Sequence, residues 1–232
     1  MKVVVNNRGL HCLSFHDYIG KGQEAVVYQQ DGIAYKCYHL VPRCNCLTLD
    51  DVLFLETLST SCILLPQTTL YSVFGNFKGY TTHYIENLGL MHFMNLSVDL
   101  ILSNFKLLKE DCYTLGRHQV MVSDFMPKDT RICNYSFHEG LYFVDPGRYF
   151  RNYNYSADEI IQKNIELVDR FIFFRVLNQY SRDAFGDSSV HFSKLYNIRK
   201  QSQEMNISLM DFISQDIEEE NLKCYVKRKV FN

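Results

Sequence analysis

The sequence has few of the residues that interrupt regular structure, and it has no segment typical of a membrane span or a secretory signal. It contains no tryptophan, 4 prolines and 11 glycines in 232 residues, so a long flexible linker is not expected. No stretch approaches the roughly 20 apolar residues of a membrane-spanning helix. The opening MKVVVNN is too short an apolar run for a secretory signal peptide. These absences predict a cytoplasmic protein without a membrane span, unless a specialised export machine reads a signal that has no such pattern.

Charge and cysteine spacing exclude two more classes of protein. The formal net charge of -2 gives no reason to expect a nucleic-acid-binding face. The eight cysteines include no C-x-x-C pair, so a structural zinc site is not expected. Without a signal peptide, scattered cysteines are typical of small buried hydrophobic residues. What remains is one large globular domain, or two small ones, with an ordinary hydrophobic content of 47%.

The pattern of apolar residues changes from β-like to helical along the chain. Strand-like runs in the first part are predicted at 12–19, 24–30, 32–38, 69–74 and 79–85. A helix with Thr48 as its N-cap is predicted among them at 47–58. The second part is predicted to hold helices at 96–115, from 156 onward, and near 191–203 and 207–219, with short β-like runs at 119–123, 130–134 and 141–144. The boundary between the two parts lies near residue 87.

Two glycines lie at the tip of a predicted hairpin, and a lysine lies on the next strand. The segment YIGKGQEAVVYQQDGIAYKCY has Gly20 and Gly22 at the tip, Val27 on the returning strand and Lys36 on the strand after it. Backbone N–H groups at glycines can approach a triphosphate without a Cβ in the way. A lysine on the adjacent strand can reach its α- and β-phosphates. A dinucleotide-binding fold would have a helix directly after the glycines, so that reading is excluded.

This segment resembles the N-terminal lobe of the protein kinases, in which G-x-G-x-x-G-x-V precedes a lysine in V-A-I-K. Here it reads GKGQEAVV and then IAYK, with Ala25 in the position of the third glycine. The resemblance implies that Lys36 pairs with a glutamate on the following helix. Glu56 is the candidate for that glutamate, and Glu24 and Asp51 are alternatives.

A second segment, HQVMVSDFMPKDTRICNYSFHEGLYFVDPGRYF, has acidic residues at the ends of predicted strands. Asp124 and Asp129 lie in one loop, and Asp145 follows the apolar run LYFV. Carboxylates held near one another are costly unless they share a cation. Magnesium takes carboxylate oxygens together with phosphate oxygens. The segment therefore predicts a site for magnesium and a polyphosphate.

SDFMPKD resembles the G-D-L-x-P-x-N catalytic loop of kinase-like enzymes, and VDPG resembles their D-F-G motif. The resemblance implies that Asp124 is the catalytic base, that Asp129 stands where a metal-binding asparagine is usual, and that Asp145 is the principal Mg²⁺ ligand. A second register stays open, in which Asp129 and Asn134 take the two loop positions.

Together these motifs resemble a bilobal protein-kinase-like fold of the α+β class, with a β-rich N-lobe at 1–87 and a reduced helical C-lobe at 88–232. The segment THYIENL would be the hinge, where backbone groups from Ile85 to Asn87 would contact adenine. The resemblance covers about residues 15–180 and favours the small atypical bacterial kinases, of the minimal effector or aminoglycoside-kinase-like type. There is no A-P-E motif, and the activation segment is nearly absent.

The resemblance implies an enzyme that uses ATP and Mg²⁺ to move the γ-phosphate to a hydroxyl. The acceptor would be a protein, a host protein if the enzyme is an exported effector, or else a small molecule. Three alternatives stay open: a pseudokinase that binds nucleotide without turnover, an adenylyl transferase, and a purely structural protein. The departures Ala25, Asp129 and Pro146 favour the pseudokinase. The retained residues Lys36, Asp124 and Asp145 favour the enzyme.

Overall fold

The computed structural model describes residues 1–6, 9–39, 46–89, 92, 96–123, 134–177, 200–205 and 207–212. The protein is of the mixed α+β class. Its strands are β1 (Lys2–Val5), β2 (Gly9–Cys12), β3 (Tyr18–Lys21), β4 (Ala25–Gln30), β5 (Ile33–Tyr38), β6 (Thr68–Tyr71), β7 (Phe77–His83), β8 (Val120–Met121), β9 (Tyr135–Phe137), β10 (Leu141–Phe143) and β11 (Phe150–Arg151). Its helices are α1 (Leu49–Leu55), α2 (Val98–Arg117) and α3 (Ala157–Phe171), and α3 continues as a π-helix, Ile172–Leu177. Residues 200–204 and 209–212 are also helical.

A seven-stranded antiparallel sheet contains the first part of the chain. Its strand order is β2-β1-β6-β7-β5-β4-β3, so β5 has neighbours on both sides and β3 is an edge strand. Successive side chains of β5 point to opposite faces of the sheet. Tyr35 and Cys37 enter a core that includes Val3 and Leu70, whereas Tyr38 enters the larger core on the other face. Lys36 shares that second face with Tyr38.

Gly79 on β7 allows this strand to pair closely with β5, the strand that carries Lys36. Its φ is +140°, and a Cβ there would lie 2.0 Å from the backbone carbonyl oxygen of Lys36. The β6–β7 register also shifts between Leu70 and Tyr71, beside the pair of Leu70 and Gly79. A side chain at position 79 would force β5 and β7 apart, so only glycine fits there.

Two predicted helix starts are confirmed by their capping contacts. Thr48 caps α1 and exchanges hydrogen bonds with Asp51, and Ser156 does the same for α3 with Glu159. Each is a capping box, in which two otherwise unpaired backbone N–H groups find acceptors. The first box fixes the start of the short helix that packs on the sheet, and the second fixes the start of the helix that packs on α2.

Asp111 on α2 joins the helical part of the protein to the segment that leads into β6. Its carboxylate accepts three backbone N–H bonds, from Ser61 at 2.8 Å, Cys62 at 2.7 Å and Ile63 at 2.8 Å. The residue is 4% exposed. Ile63 in turn bridges to Phe143 of β10. One buried carboxylate therefore fixes the segment that links α2 to β10.

Two buried asparagines hold β10 and β8 in place through hydrogen bonds to the backbone. Asn104 of α2 exchanges two hydrogen bonds with the backbone of Leu141, at 3.0 and 3.3 Å. Asn164 of α3 accepts from the N–H of Val122 and donates to the carbonyl of Val120, both at 3.0 Å. A side-chain amide can replace a neighbouring strand because it offers one donor and one acceptor. These contacts hold the strands that precede Asp124 and Asp145 in the sequence.

The N-terminal strands differ from the prediction. β1 and β2 pair over Lys2–Val5 and Gly9–Cys12, although the sequence predicts no strand before residue 12. Of the run predicted at 12–19, Cys12 ends β2 and the next strand begins at Tyr18. The short VVV run gains its second neighbour from β6, which lies more than 60 residues away. Local patterns carry no signal of such a partner. Within the described residues, no helix has the length and apolar character needed to cross a membrane.

Candidate functional site

Lys36 and Asp145 meet in a close ion pair although 109 residues separate them. The Lys36 Nζ lies 2.6 Å from Asp145 Oδ1. Lys36 comes from the interior strand β5, and Asp145 follows two residues after β10. Lys36 is 8% exposed, whereas the Asp145 side chain keeps 36% of its surface exposed. The lysine therefore lies at the bottom of the site, and the carboxylate forms part of its open wall.

The described contacts of Asp145 all involve one of its two carboxylate oxygens. Oδ1 accepts from Lys36, from the Tyr80 hydroxyl at 3.4 Å and from the Gly147 N–H at 3.0 Å. Within the part of the chain that the structure describes, no hydrogen bond reaches Oδ2. Tyr80 lies directly across from Lys36 on β7, and the ammonium is 5.8 Å from its ring centroid. Three donors thus fix the orientation of the carboxylate.

Gly147 makes room for a third charged group. A Cβ at this position would lie 2.5 Å from Lys36 Nζ, 2.9 Å from Asp145 Oδ1 and 3.5 Å from Glu24 Oε2. Contacts under 3 Å are too close, so a side chain at position 147 would displace the Lys36 ammonium or the Asp145 carboxylate. The three charges therefore converge on one backbone position.

Glu24 lies at the turn between β3 and β4, and its carboxylate reaches the same site. Its Oε2 lies 3.7 Å from Lys36 Nζ, and its Oε1 lies 3.6 Å from the Nε of Arg148. The side chain is 15% exposed. Its backbone carbonyl accepts from the N–H of His39, just after β5, at 3.0 Å. The turn of the glycine hairpin is thus held over the lysine strand.

Glu24 and Asp145, not Glu56, are the acidic partners of Lys36, which corrects the sequence prediction. Helix α1 ends at Leu55, and Glu56 forms its C-cap. Burial raises the pKa of Glu56, and a hydrogen bond from the Thr69 backbone offsets part of this rise. Its carboxylate therefore lies against β6, and within the described residues it forms no ion pair with Lys36. Although the Glu56 backbone is still helical at the C-cap, its side chain faces β6 and not the lysine.

Of the two alternatives to Glu56, the structure brings only Glu24 to Lys36. Asp51 is used at the other end of α1, where it completes the capping box with Thr48. Its carboxylate also lies 3.8 Å from a guanidinium nitrogen of Arg151. Asp51 therefore belongs to the packing of α1 and is not part of the charged cluster.

The two glycines of the hairpin are not required by the fold itself. Gly20 pairs with Val27, which in turn pairs with Lys36, and the Gly22 N–H donates to the Ala25 carbonyl at 2.9 Å. Neither glycine has a positive φ. A Cβ on Gly20 would meet no atom within 4 Å, and one on Gly22 would meet only the Ala25 oxygen, at 3.9 Å. The surface beside both glycines is open.

The segment predicted as a hinge follows β7 and runs beside β9. The Ile85 carbonyl accepts from the Ser136 hydroxyl at 3.4 Å, and the Leu88 N–H donates to the Phe137 carbonyl at 2.8 Å. Ile85 is half-buried, and Asn87 is exposed. The Asn87 side chain accepts from the Gly89 N–H at 3.0 Å. The segment is therefore hydrogen-bonded to β9 at both Ile85 and Leu88.

Asp124 and Asp129 lie outside the described residues, so neither register of the catalytic loop is tested. The residues on both sides are held by backbone hydrogen bonds. Val122 is bound by Asn164, and the Asn134 carbonyl accepts from the Val144 N–H at 3.0 Å. Among the described residues, no group of three His, Cys, Asp or Glu side chains could hold a metal ion.

The charges of Lys36 and Asp145 stabilise each other. Burial alone would lower the pKa of Lys36, but the charge and hydrogen bond of Asp145, with the charge of Glu24, raise it above its ordinary value. Burial alone would raise the pKa of Asp145, but the charge and hydrogen bond of Lys36 lower it. Both groups are therefore charged at neutral pH.

The ion pair is expected to make stability depend on pH at both extremes. Because the pKa of Asp145 is lowered by folding, its contribution is present above the ordinary carboxyl pKa of about 3.9 and is lost as the pH falls through the folded value. The pKa of Lys36 is raised, so its contribution is present below about 10.4 and is lost as the pH rises through the folded value.

Urea unfolding of the wild type and Asp145→Asn between pH 2 and pH 8 tests the acid limb. The difference in free energy of unfolding should be constant near neutrality and begin to shrink below about pH 4, where Asp145 of the unfolded wild type becomes protonated, and it should continue to shrink as the pH falls to the lower pKa of the folded protein. A difference that is the same at every pH would contradict the pairing.

Two members of the cluster were not among the predicted site residues. Arg148 directly follows D-P-G, and Tyr80 faces Lys36 across the β5–β7 ladder. The position of Arg148 beside the motif was a usable signal. Tyr80 had none, because its role depends on the register of two strands that are not neighbours in sequence.

Comparison of the chain with models of known protein families and with curated protein sequences finds no match to either.

Proposed function

We propose that the protein is an ATP-dependent phosphotransferase with a bilobal kinase-like fold, and that it moves the γ-phosphate to a hydroxyl. The observation that carries this proposal is the meeting of Lys36 and Asp145 under a glycine hairpin. A lysine for the phosphates and an acidic residue for the metal are the two charges that phosphoryl transfer needs at fixed positions. Their convergence from residues 109 apart is not expected of a generic turn and a generic surface lysine.

The order of the elements supports the same proposal. The chain runs through a glycine hairpin (β3–β4), a lysine strand (β5), a helix (α1), two further strands (β6 and β7), a long helix (α2), a short strand (β8), a second hairpin (β9–β10) and then Asp145. This is the order of parts that the kinase resemblance implies. The helix glutamate is the exception, because Glu24 and not Glu56 lies beside Lys36.

The residues present fit ATP and Mg²⁺. Gly20 and Gly22 leave an open surface for the phosphates, and Lys36 would contact them. Val27 and the backbone from Ile85 to Asn87 would hold the adenine. Oδ2 of Asp145, which no described residue contacts, would bind Mg²⁺ together with Asp129 from the catalytic loop. Magnesium, when bound, supplies charge neutralisation at the phosphates.

The remaining roles belong to the protein's own side chains. Asp124 would orient the acceptor hydroxyl and take its proton. The anchors on either side of its loop, Asn164 and the Asn134 carbonyl, would hold that loop beside Asp145. The acceptor in this proposal is a protein of the cytoplasm, or of a host cell if the enzyme is exported, with a small hydroxyl compound as the alternative.

Transfer of label from ATP tests the proposal. The purified protein is incubated with Mg²⁺, a cell lysate and ATP labelled at either the γ- or the α-phosphate. Label that enters an acceptor only from the γ-position supports a kinase. Transfer from the α-position would instead indicate adenylylation and overturn the proposal, as would the absence of any transfer.

A nucleotide-binding pseudokinase is the second candidate, and one observation favours it. Lys36 and Asp145 already neutralise each other at 2.6 Å, so the ion pair competes with phosphate and metal for both residues. The departures Ala25 and Pro146 point the same way. Binding of ATP without transfer of the γ-phosphate would decide for this candidate.

Substitutions at the hairpin glycines are expected to separate binding from stability. Gly20→Ala and Gly22→Ala should leave the thermal midpoint within about 2 °C of the wild type, since a Cβ at either position meets open space. The same changes should weaken ATP binding by about tenfold, because a methyl group would keep the phosphates from the backbone N–H groups. Gly32→Ala, at a turn outside the site, is the opposite control, since its φ of +75° makes alanine destabilising without touching ATP. Unchanged ATP affinity in both hairpin variants would count against phosphate binding there.

A further inference from the structure

Glu24 connects two cations that come from different parts of the chain. One carboxylate oxygen faces the Lys36 ammonium at 3.7 Å, and the other faces the Arg148 guanidinium at 3.6 Å. Lys36 belongs to the interior strand β5, whereas Arg148 follows β10 and the D-P-G turn. The two cations therefore define a gap that fits an anion with two oxygens.

We propose that Lys36 and Arg148 form a two-cation subsite for a phosphate group of the nucleotide, and that Glu24 occupies this subsite in competition with the phosphate. The proposal rests on the nucleotide-binding function proposed above. A phosphate offers the same two oxygens as the carboxylate and carries more negative charge, and arginine binds both groups through its planar fork of donors. No sequence motif assigns this role to Arg148.

The charge of the cluster explains why the carboxylate must leave. The described cluster contains two cations, Lys36 and Arg148, and two carboxylates, Glu24 and Asp145. A phosphate that entered beside Glu24 would meet two negative groups, and like charges at this range repel. Exchange of Glu24 for the phosphate keeps each cation paired. Removal of the Glu24 charge should therefore strengthen phosphate binding.

The structure also provides the means for this exchange. Glu24 lies at the turn between β3 and β4, and among the described strands β3 pairs with β4 alone. Arg148 keeps 47% of its side chain exposed, so a ligand can reach its guanidinium from solvent. Gly147, between the charged groups, has no side chain that would block the approach. Rotation of the Glu24 side chain would carry its carboxylate away while its backbone stays bonded to His39 and Lys36 stays in its strand.

Titration calorimetry on the full chain tests the subsite with two probes, Mg²⁺–ATP and inorganic tripolyphosphate. We expect Glu24→Gln to bind both probes about three- to tenfold more tightly than the wild type, and Arg148→Ala to bind both about tenfold more weakly. Glu110→Gln, which removes an exposed charge on α2, is the matched control and should bind like the wild type. Thermal unfolding of each variant confirms that the comparison is made between folded proteins.

The outcomes separate the subsite from the proposed function. Weaker binding by Glu24→Gln would mean that Glu24 positions Lys36 instead of competing with phosphate. Unchanged binding by Arg148→Ala would mean that Arg148 does not contact the phosphate. Either result overturns the inference. If tripolyphosphate follows the expected pattern but ATP binds no better than tripolyphosphate, the subsite stands and nucleotide specificity fails. If Lys36→Ala binds ATP like the wild type, the proposed function fails at its central residue.

Discussion

Replacement of Asp145 by asparagine is expected to reduce γ-phosphate transfer by about 10²- to 10³-fold while the protein remains folded. The amide keeps the size of the side chain, and its oxygen can still accept from the Gly147 N–H. It has no charge, so it neither neutralises Lys36 nor offers a good ligand to Mg²⁺. The loss should therefore appear in the transfer step, measured as initial rates with γ-labelled ATP at saturating nucleotide.

Asp158→Asn is the matched control for this substitution. Asp158 lies exposed in the first turn of α3 and has no contact with the charged cluster. It should change the transfer rate by less than twofold, which shows that loss of a surface carboxylate is not the cause. Asp145→Asn with wild-type transfer would remove Asp145 from the site, and with it the main support for the kinase-like proposal.

Replacement of Asp111 by alanine is expected to lower the free energy of unfolding by about 3–5 kcal/mol. Three backbone N–H groups, those of Ser61, Cys62 and Ile63, would lose their acceptor inside the protein. Each buried donor without a partner costs about 1–3 kcal/mol, and relaxation of the segment recovers part of the sum. Urea unfolding of the two proteins at pH 7 measures the difference.

Two further variants make the Asp111 result specific. Asp111→Asn keeps one acceptor oxygen, so its free energy of unfolding should lie between those of the wild type and Asp111→Ala. Glu110→Ala removes the exposed neighbouring carboxylate on the same helix and should change the free energy of unfolding by less than about 0.5 kcal/mol. If Asp111→Ala lowers the free energy of unfolding no more than Glu110→Ala does, the three hydrogen bonds do not hold the segment.

Features encoded by neighbouring residues could be predicted from the sequence. The β4–β5 hairpin follows from Asp31-Gly32 between two apolar runs, and both helix caps follow from a hydroxyl residue three positions before a carboxylate. The order of the parts from the glycine hairpin to Asp145 also follows from such local signals. The α+β class could therefore be predicted without knowledge of any long-range contact.

Features that depend on the ends of elements and on distant partners could not be predicted. The kinase resemblance implies that Glu56, on the predicted helix, pairs with Lys36, but the Glu56 carboxylate lies against β6. The approach of Glu24 to Lys36 and Arg148 depends on the twist of a hairpin and on a turn more than 100 residues away. Gly79 likewise gives no local signal, because the backbone that it accommodates belongs to another strand.

The two sides of the charged cluster differ in how freely they can adjust. β5 is hydrogen-bonded along both edges, by β4 and β7, whereas β3, among the described strands, is bonded by β4 alone. Lys36 is therefore held more firmly than the tip of the glycine hairpin. In the proposed nucleotide site, small movements of that tip would accommodate ligands of different size, and the lysine strand would set the position of the phosphates.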